Sequence, residues 1–143
     1  MPRYLGIDYG ERRVGLAMSD PTLTIAQPLK TIKYSSLEHL VKEIVLIITE
    51  NLVERAIIGL PLTMKGTDSQ KTKEVRKFGE KLQLKISIPV IFYDERFSTK
   101  IAHNVLYQLG KEPSKSRDIV DQIAAQEILQ NYLDKEKKMV RHD

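Results

Sequence analysis

Three groups of carboxylates stand where a chain of alternating strands and helices would place a ligand. Asp8 ends the first strand-like segment. Asp94 and Glu95 directly follow a short apolar run at 89–93. Asp118 and Asp121 lie on the last helical segment. Open α/β sheets bind ligands beyond the carboxyl ends of their strands. Carboxylates without His or Cys beside them select hard cations, chiefly Mg²⁺ or Mn²⁺. Two such ions ~3.5–4 Å apart activate water and stabilise the leaving oxygen of a phosphodiester displacement. The chain has no cysteine, which excludes thiolate chemistry, and its histidines, His39, His103 and His142, are scattered without ligand spacing.

Each acid also has an ordinary reading. Asp8 can bond turn amides, and Glu95 can pair with Arg96 at the surface. Asp118, behind a Ser116 cap, suits the first turn of a helix, where negative charge offsets the macrodipole. Asp121 has the weakest such reading. At ~100° per residue it falls among Ala124, Ala125, Ile128 and Tyr132, in the middle of an apolar arc. A carboxylate there is costly unless paired or bound to a metal. Candidate phosphate contacts are Arg13, Lys65, Lys71 and Arg96, of which the lysines also read as solvated loop residues and Arg96 as an ion-pair partner.

The elements that must position these groups follow from hydrophobic period and turn chemistry. Arg3–Tyr9, Val14–Ser19 and Leu23–Ile32 read as a β-meander. Ser35 and Glu38 have capping-box spacing for a helix carrying Leu37, Leu40, Val41, Ile44, Ile47 and Ile48. Arg55–Leu60 reads as a strand buried on both faces, followed by a polar loop over 63–70 around Gly66. A helix is expected over 71–84, a short buried strand over 89–93, a helix from Ser98 or Thr99 to Gly110, and a last helix from Ser116 to about Leu133. This order predicts an α/β fold, a mixed five-stranded sheet with helices on both faces.

The 143 residues suit one domain over 1–134 with a charged, flexible tail over 135–143. The net charge is +4, with seven basic and seven acidic residues in 1–60 but sixteen and twelve in 61–143. A basic second half fits a polyanionic partner. The N-terminus lacks an apolar signal-peptide core, and the longest apolar run, Ile44–Ile48, is far too short to span a membrane. A cytoplasmic location is therefore expected.

Four motifs in order carry a family resemblance. Gly6-Ile7-Asp8-Tyr9-Gly10 with Arg13-Val14-Gly15-Leu16-Ala17 and Ser19-Asp20 resembles the opening of the YqgF-like family, described as Holliday-junction-resolvase-like and as pre-16S rRNA nucleases. Gly59-Leu60-Pro61-Leu62 with Met64 and Gly66, Asp94-Glu95-Arg96-Phe97-Ser98-Thr99, and Asp121-x-x-Ala124-Ala125-x-x-Ile128-Leu129-Gln130 resemble its later motifs. The resemblance implies a ribonuclease H-like fold and a metal-dependent endonuclease that matures the 5′ end of pre-16S rRNA, leaving a 5′-phosphate and a 3′-hydroxyl. Asp8, Glu95 and Asp121 match the family's acidic positions and would hold two Mg²⁺ or Mn²⁺ ions. Asp118 lies outside the matched motif and is a candidate fourth ligand. Three other readings stay open: a Holliday-junction resolvase acting on branched DNA, a non-catalytic rRNA-binding module, and an actin-like ATPase, which needs a second domain that this chain has no room for. Monomer and homodimer are both compatible with the sequence.

Overall fold

Alternation of side chains across a sheet decides how this protein is layered. A computed structural model describes residues 2–97 and 115–141, so the helix and loop expected over 98–114 lie outside the described residues. Strands β1 (Arg3–Tyr9), β2 (Arg13–Ser19) and β3 (Ala26–Lys33) form an antiparallel meander. Helix α1 (Leu37–Glu50) crosses over to β4 (Val53–Leu60), which runs parallel to β1. Helix α2 (Gln70–Gln83) then leads to β5 (Val90–Asp94), parallel to β4, and a 3-10 turn at Glu95–Phe97. The last described element is the long helix α3 (Lys115–Arg141). The sheet order is β3-β2-β1-β4-β5. This is the expected mixed five-stranded α/β sheet with helices on both faces.

One face is packed with large apolar side chains. Leu5, Ile7, Val14, Leu16 and Ile58 are fully buried beneath Leu40 and Ile44 of α1 and Phe78 and Leu82 of α2. Each such side chain contributes about 1.5–3 kcal/mol through burial. The other face is thin. Gly6, Gly15 and Ala17 let α3 lie almost on the strand backbones: a Cβ at Gly15 would stand 2.0 Å from the Asp121 carbonyl oxygen, and one at Gly6 would stand 2.7 Å from Leu129 Cβ. Ala125, Ile128, Leu129 and Leu133 of α3 complete this second core with Tyr4, Ile57 and Tyr93.

Four local expectations are corrected. The α1 cap is Ser36 rather than Ser35, its hydroxyl accepting from His39 N at 3.3 Å, which leaves Glu38 in the first turn but outside a capping box. The capping box occurs instead on α2, between Ser69 and Thr72. Strand β3 starts at Ala26, because Asp20 holds the preceding turn by accepting from Thr24 N and Ile25 N, both at 2.8 Å. Strand β5 is only partly buried because it is an edge strand. Finally, α3 already includes Ser116 and continues to Arg141, so Ser116 is not its cap and most of the charged tail is helical. Lys and Glu are good helix formers, and Glu136 is tied to Arg55 and, at 2.8 Å, to Tyr132.

Candidate active site

Asp8 is the pivot of the site. Its parity on β1 puts it on the α3 face with Tyr4 and Gly6, at the carboxyl end of the strand. Its partner on β2 is Gly15, and Gly59 lies one step beyond the last paired residues of β1 and β4, Ile7 and Ile58. These flanking glycines matter because they make room for the other two acids. The missing side chain at Gly15 accommodates the backbone of α3 at Asp121. A Cβ at Gly59 would stand 3.0 Å from the Glu95 carboxyl carbon and 2.4 Å from Ile128. Glu95 itself follows β5 directly, in the 3-10 turn.

The electrostatics follow from this crowding. Burial, then the charge of Glu95, and lastly that of Asp121 raise the Asp8 carboxyl to about 7, with Lys71 pulling the other way. Glu95 is raised by burial and by Glu127 and Asp94, again opposed by Lys71. Asp121 is raised by burial and Asp118, opposed by Arg13 and Arg117. The repulsion between Asp8 and its two neighbours is mutual, and the carboxyl most withdrawn from water takes up a proton first.

The cations divide into two kinds. Arg13 Nε lies 3.1 Å from Asp121 Oδ2, yet that oxygen is buried without an aligned hydrogen bond, as is Asp118 Oδ1. Lys71, in the first turn of α2, acts on both Asp8 and Glu95 while its own side chain is exposed. Arg96 is engaged elsewhere, holding Asp94 through Nε at 2.9 Å and Nη2 at 2.6 Å. Its Nη1 donates to Met64 O at 3.3 Å, which braces the loop between β4 and α2. Lys65 is exposed on that loop.

The donor set suits a divalent cation: oxygen ligands only, two buried carboxylate oxygens without hydrogen bonds, and a central carboxyl held partly protonated by burial and by its acidic neighbours. Among the described residues, no three acids or histidines are gathered closely enough to hold one ion between them. The charges of both Glu95 and Asp121 act on Asp8.

Sequence reasoning missed the parts played by four residues. Gly15 and Gly59 were legible only as motif residues, since their role depends on which helix and which carboxyl approach them. Asp94 anchors Arg96 rather than facing the pocket. Glu127 acts on Glu95 from α3, and no spacing rule marks it.

A family model described as "RuvX: Holliday junction resolvase" matches residues 2–135. The chain is 42% identical over 130 residues to the "Putative pre-16S rRNA nuclease" of Chloroflexus aurantiacus, covering 91% of this chain and 85% of that protein. Proteins of the same description from Caldanaerobacter subterraneus (40% identical, 94% of this chain and 98% of that one) and Acetivibrio thermocellus (42%, 96% and 99%) are similar over nearly their full lengths. Among solved structures, Thermus thermophilus RuvC in complex with a Holliday junction substrate has the same fold, with a TM-score of 0.62, 13% identity and coverage of 96% of this chain and 97% of that one. This places the chain among ribonuclease H-like folds, as the sequence motifs imply.

Proposed function

The chain belongs to the RuvX family of Holliday junction resolvase-like proteins, and from that premise we propose that it is a metal-dependent endonuclease that hydrolyses phosphodiester bonds in maturing the 5′ end of pre-16S rRNA. The observation that carries the reading is the crowding of Glu95 and Asp121 about Asp8 at the carboxyl edge of the sheet. Descriptions of relatives about 40% identical over nearly the whole chain favour precursor rRNA over branched DNA.

Asp8, Glu95 and Asp121 would hold Mg²⁺ or Mn²⁺, with Asp118 able to contribute its buried oxygen. A divalent cation there supplies an activated water and neutralises charge on the phosphodiester. The chain's own residues do the rest. Lys71, whose charge acts on both Asp8 and Glu95, meets the incoming phosphate. Arg13 holds Asp121 in place from beside the site and would offer its remaining donors to the nucleic-acid backbone. Arg96 fixes the loop that borders the site, and Lys65 adds a phosphate contact from that loop.

The test compares cleavage of precursor 16S rRNA and of a four-way DNA junction by the native chain and by Asp8→Asn, with Mg²⁺ and with Mn²⁺. The account expects rRNA cleavage near the 5′ end, lost by at least about a thousandfold in the variant while the fold persists. Full activity in Asp8→Asn removes the assignment. Preference for the four-way junction replaces the substrate and keeps the chemistry.

A further inference from the structure

The loop between β4 and α2 carries an apolar side chain that the fold does not use. Met64 is 90% exposed, the largest exposure among the large hydrophobic residues described. Exposed methionines on loose loops mean little, but this loop is braced throughout. Thr63 N donates to Thr67 O at 2.9 Å and Gly66 N to Thr63 O at 2.8 Å, while the two threonine hydroxyls bond each other at 2.6 Å. Gly66 takes φ +81°, which closes the turn and favours glycine. On one flank Asp68 is held by Arg76 at 2.8 and 3.1 Å. On the other, Arg96 donates to the Met64 carbonyl while clamped to Asp94, the residue before Glu95.

The backbone at the tip is therefore held in place with its methionine side chain in the solvent, and the Met64 carbonyl accepts from Arg96, the residue that follows Glu95 in the chain. An unbranched thioether is slim and polarizable. Apolar side chains of this kind insert between base steps and unstack them. The flanking Lys65 offers charge to the adjoining phosphate.

We propose that Met64 is a wedge that enters a base step beside the scissile phosphate, so that this protein selects nucleic acid whose helix opens readily there, such as the boundary between a duplex and a single strand. The proposal rests on the nuclease reading above and names how that site chooses its substrate. Met64 is a specificity residue. It touches bases, while the carboxylates act on the phosphate.

The experiment uses a short RNA duplex with a single-stranded 5′ extension, carrying 2-aminopurine at the last paired position. Binding is followed by fluorescence in Ca²⁺, and cleavage is measured in Mg²⁺ on this probe and on an unstructured RNA. With the native chain, 2-aminopurine brightens on binding. Met64→Ala binds without most of that gain, and its ratio of boundary cleavage to unstructured cleavage falls roughly tenfold, while Met64→Leu keeps both within about twofold. A native complex with no fluorescence gain overturns the wedge. So does a Met64→Ala variant that matches the native chain or loses both cleavages equally. Failure of the native chain to cut either RNA strikes the nuclease reading instead, and the fluorescence arm still decides whether Met64 opens the step.

Discussion

The two faces of the sheet are built on opposite terms. Under α1 and α2 the strands present Leu, Ile and Val, and the helices answer with side chains as large as Phe78, which also stacks on Tyr9 at 4.6 Å between ring centres. Under α3 the strands present Gly6, Gly15, Ala17 and Gly59, and the helix backbone itself comes to rest on Gly6 and Gly15, while the Ile128 and Glu95 side chains fill the space over Gly59. The first face gains stability from apolar bulk. The second gives up bulk so that Asp121 and Glu95 can approach Asp8. A close helix is thus the device that brings carboxylates together, and glycine is the means.

Phe78→Ala should show the largest effect on stability, a loss of about 3–5 kcal/mol from the cavity left in the first face. Chemical denaturation measures it, and the folded fraction should still cleave normally, because the acids lie across the sheet. Gly15→Ala should cost about 1–3 kcal/mol by overpacking and, unlike Phe78→Ala, lower cleavage per folded molecule, since α3 must lift Asp121 away. If both variants affected only stability, the division of labour between the faces would not hold.

The pH dependence sharpens the contrast. The Asp8 carboxyl stays protonated up to about 7 in the folded chain, whereas in the unfolded chain it ionises near 4. Between those values the folded state binds the extra proton, so without metal the native chain loses stability as pH rises from about 4 toward 7. Asp8→Asn, which cannot ionise, should show a smaller loss across that window. Melting temperatures of both proteins in chelator, taken at successive pH values, should diverge as pH rises. The smallest effect belongs to the Arg55–Glu136 pair at the surface end of α3: Arg55→Met should cost under about 1 kcal/mol and leave cleavage unaltered.

Much of this was legible in the residues. The period-2 and period-3.6 patterns of 3–19 and 37–48 gave the meander and α1 because their burial is one-sided and regular. Asp121 stood out because a carboxylate interrupts an apolar arc. What could not be read was set by contacts between distant segments. The length of α3 beyond Leu133 depends on Glu136 meeting Arg55 and Tyr132. The half-buried state of β5 depends on its place at the sheet edge. Arg96 faces Asp94 and Met64 rather than the pocket because the loop folds back to meet it. The exposed Lys71, read on sequence as either a loop lysine or a phosphate contact, acquires its place beside two acids only when the Ser69 cap starts α2 at the carboxyl edge.

The central claim is that Asp8, Glu95 and Asp121 form one cation-binding pocket centred on Asp8. Calorimetric titration of the chain with Mn²⁺ at pH 6.5, repeated in buffers of different ionisation enthalpy, tests it most directly. The account predicts binding with release of part of a proton as Asp8 ionises, weakened by at least roughly tenfold in each of Asp8→Asn, Glu95→Gln and Asp121→Asn. Mn²⁺ binding with native affinity in any one of the three variants would contradict it.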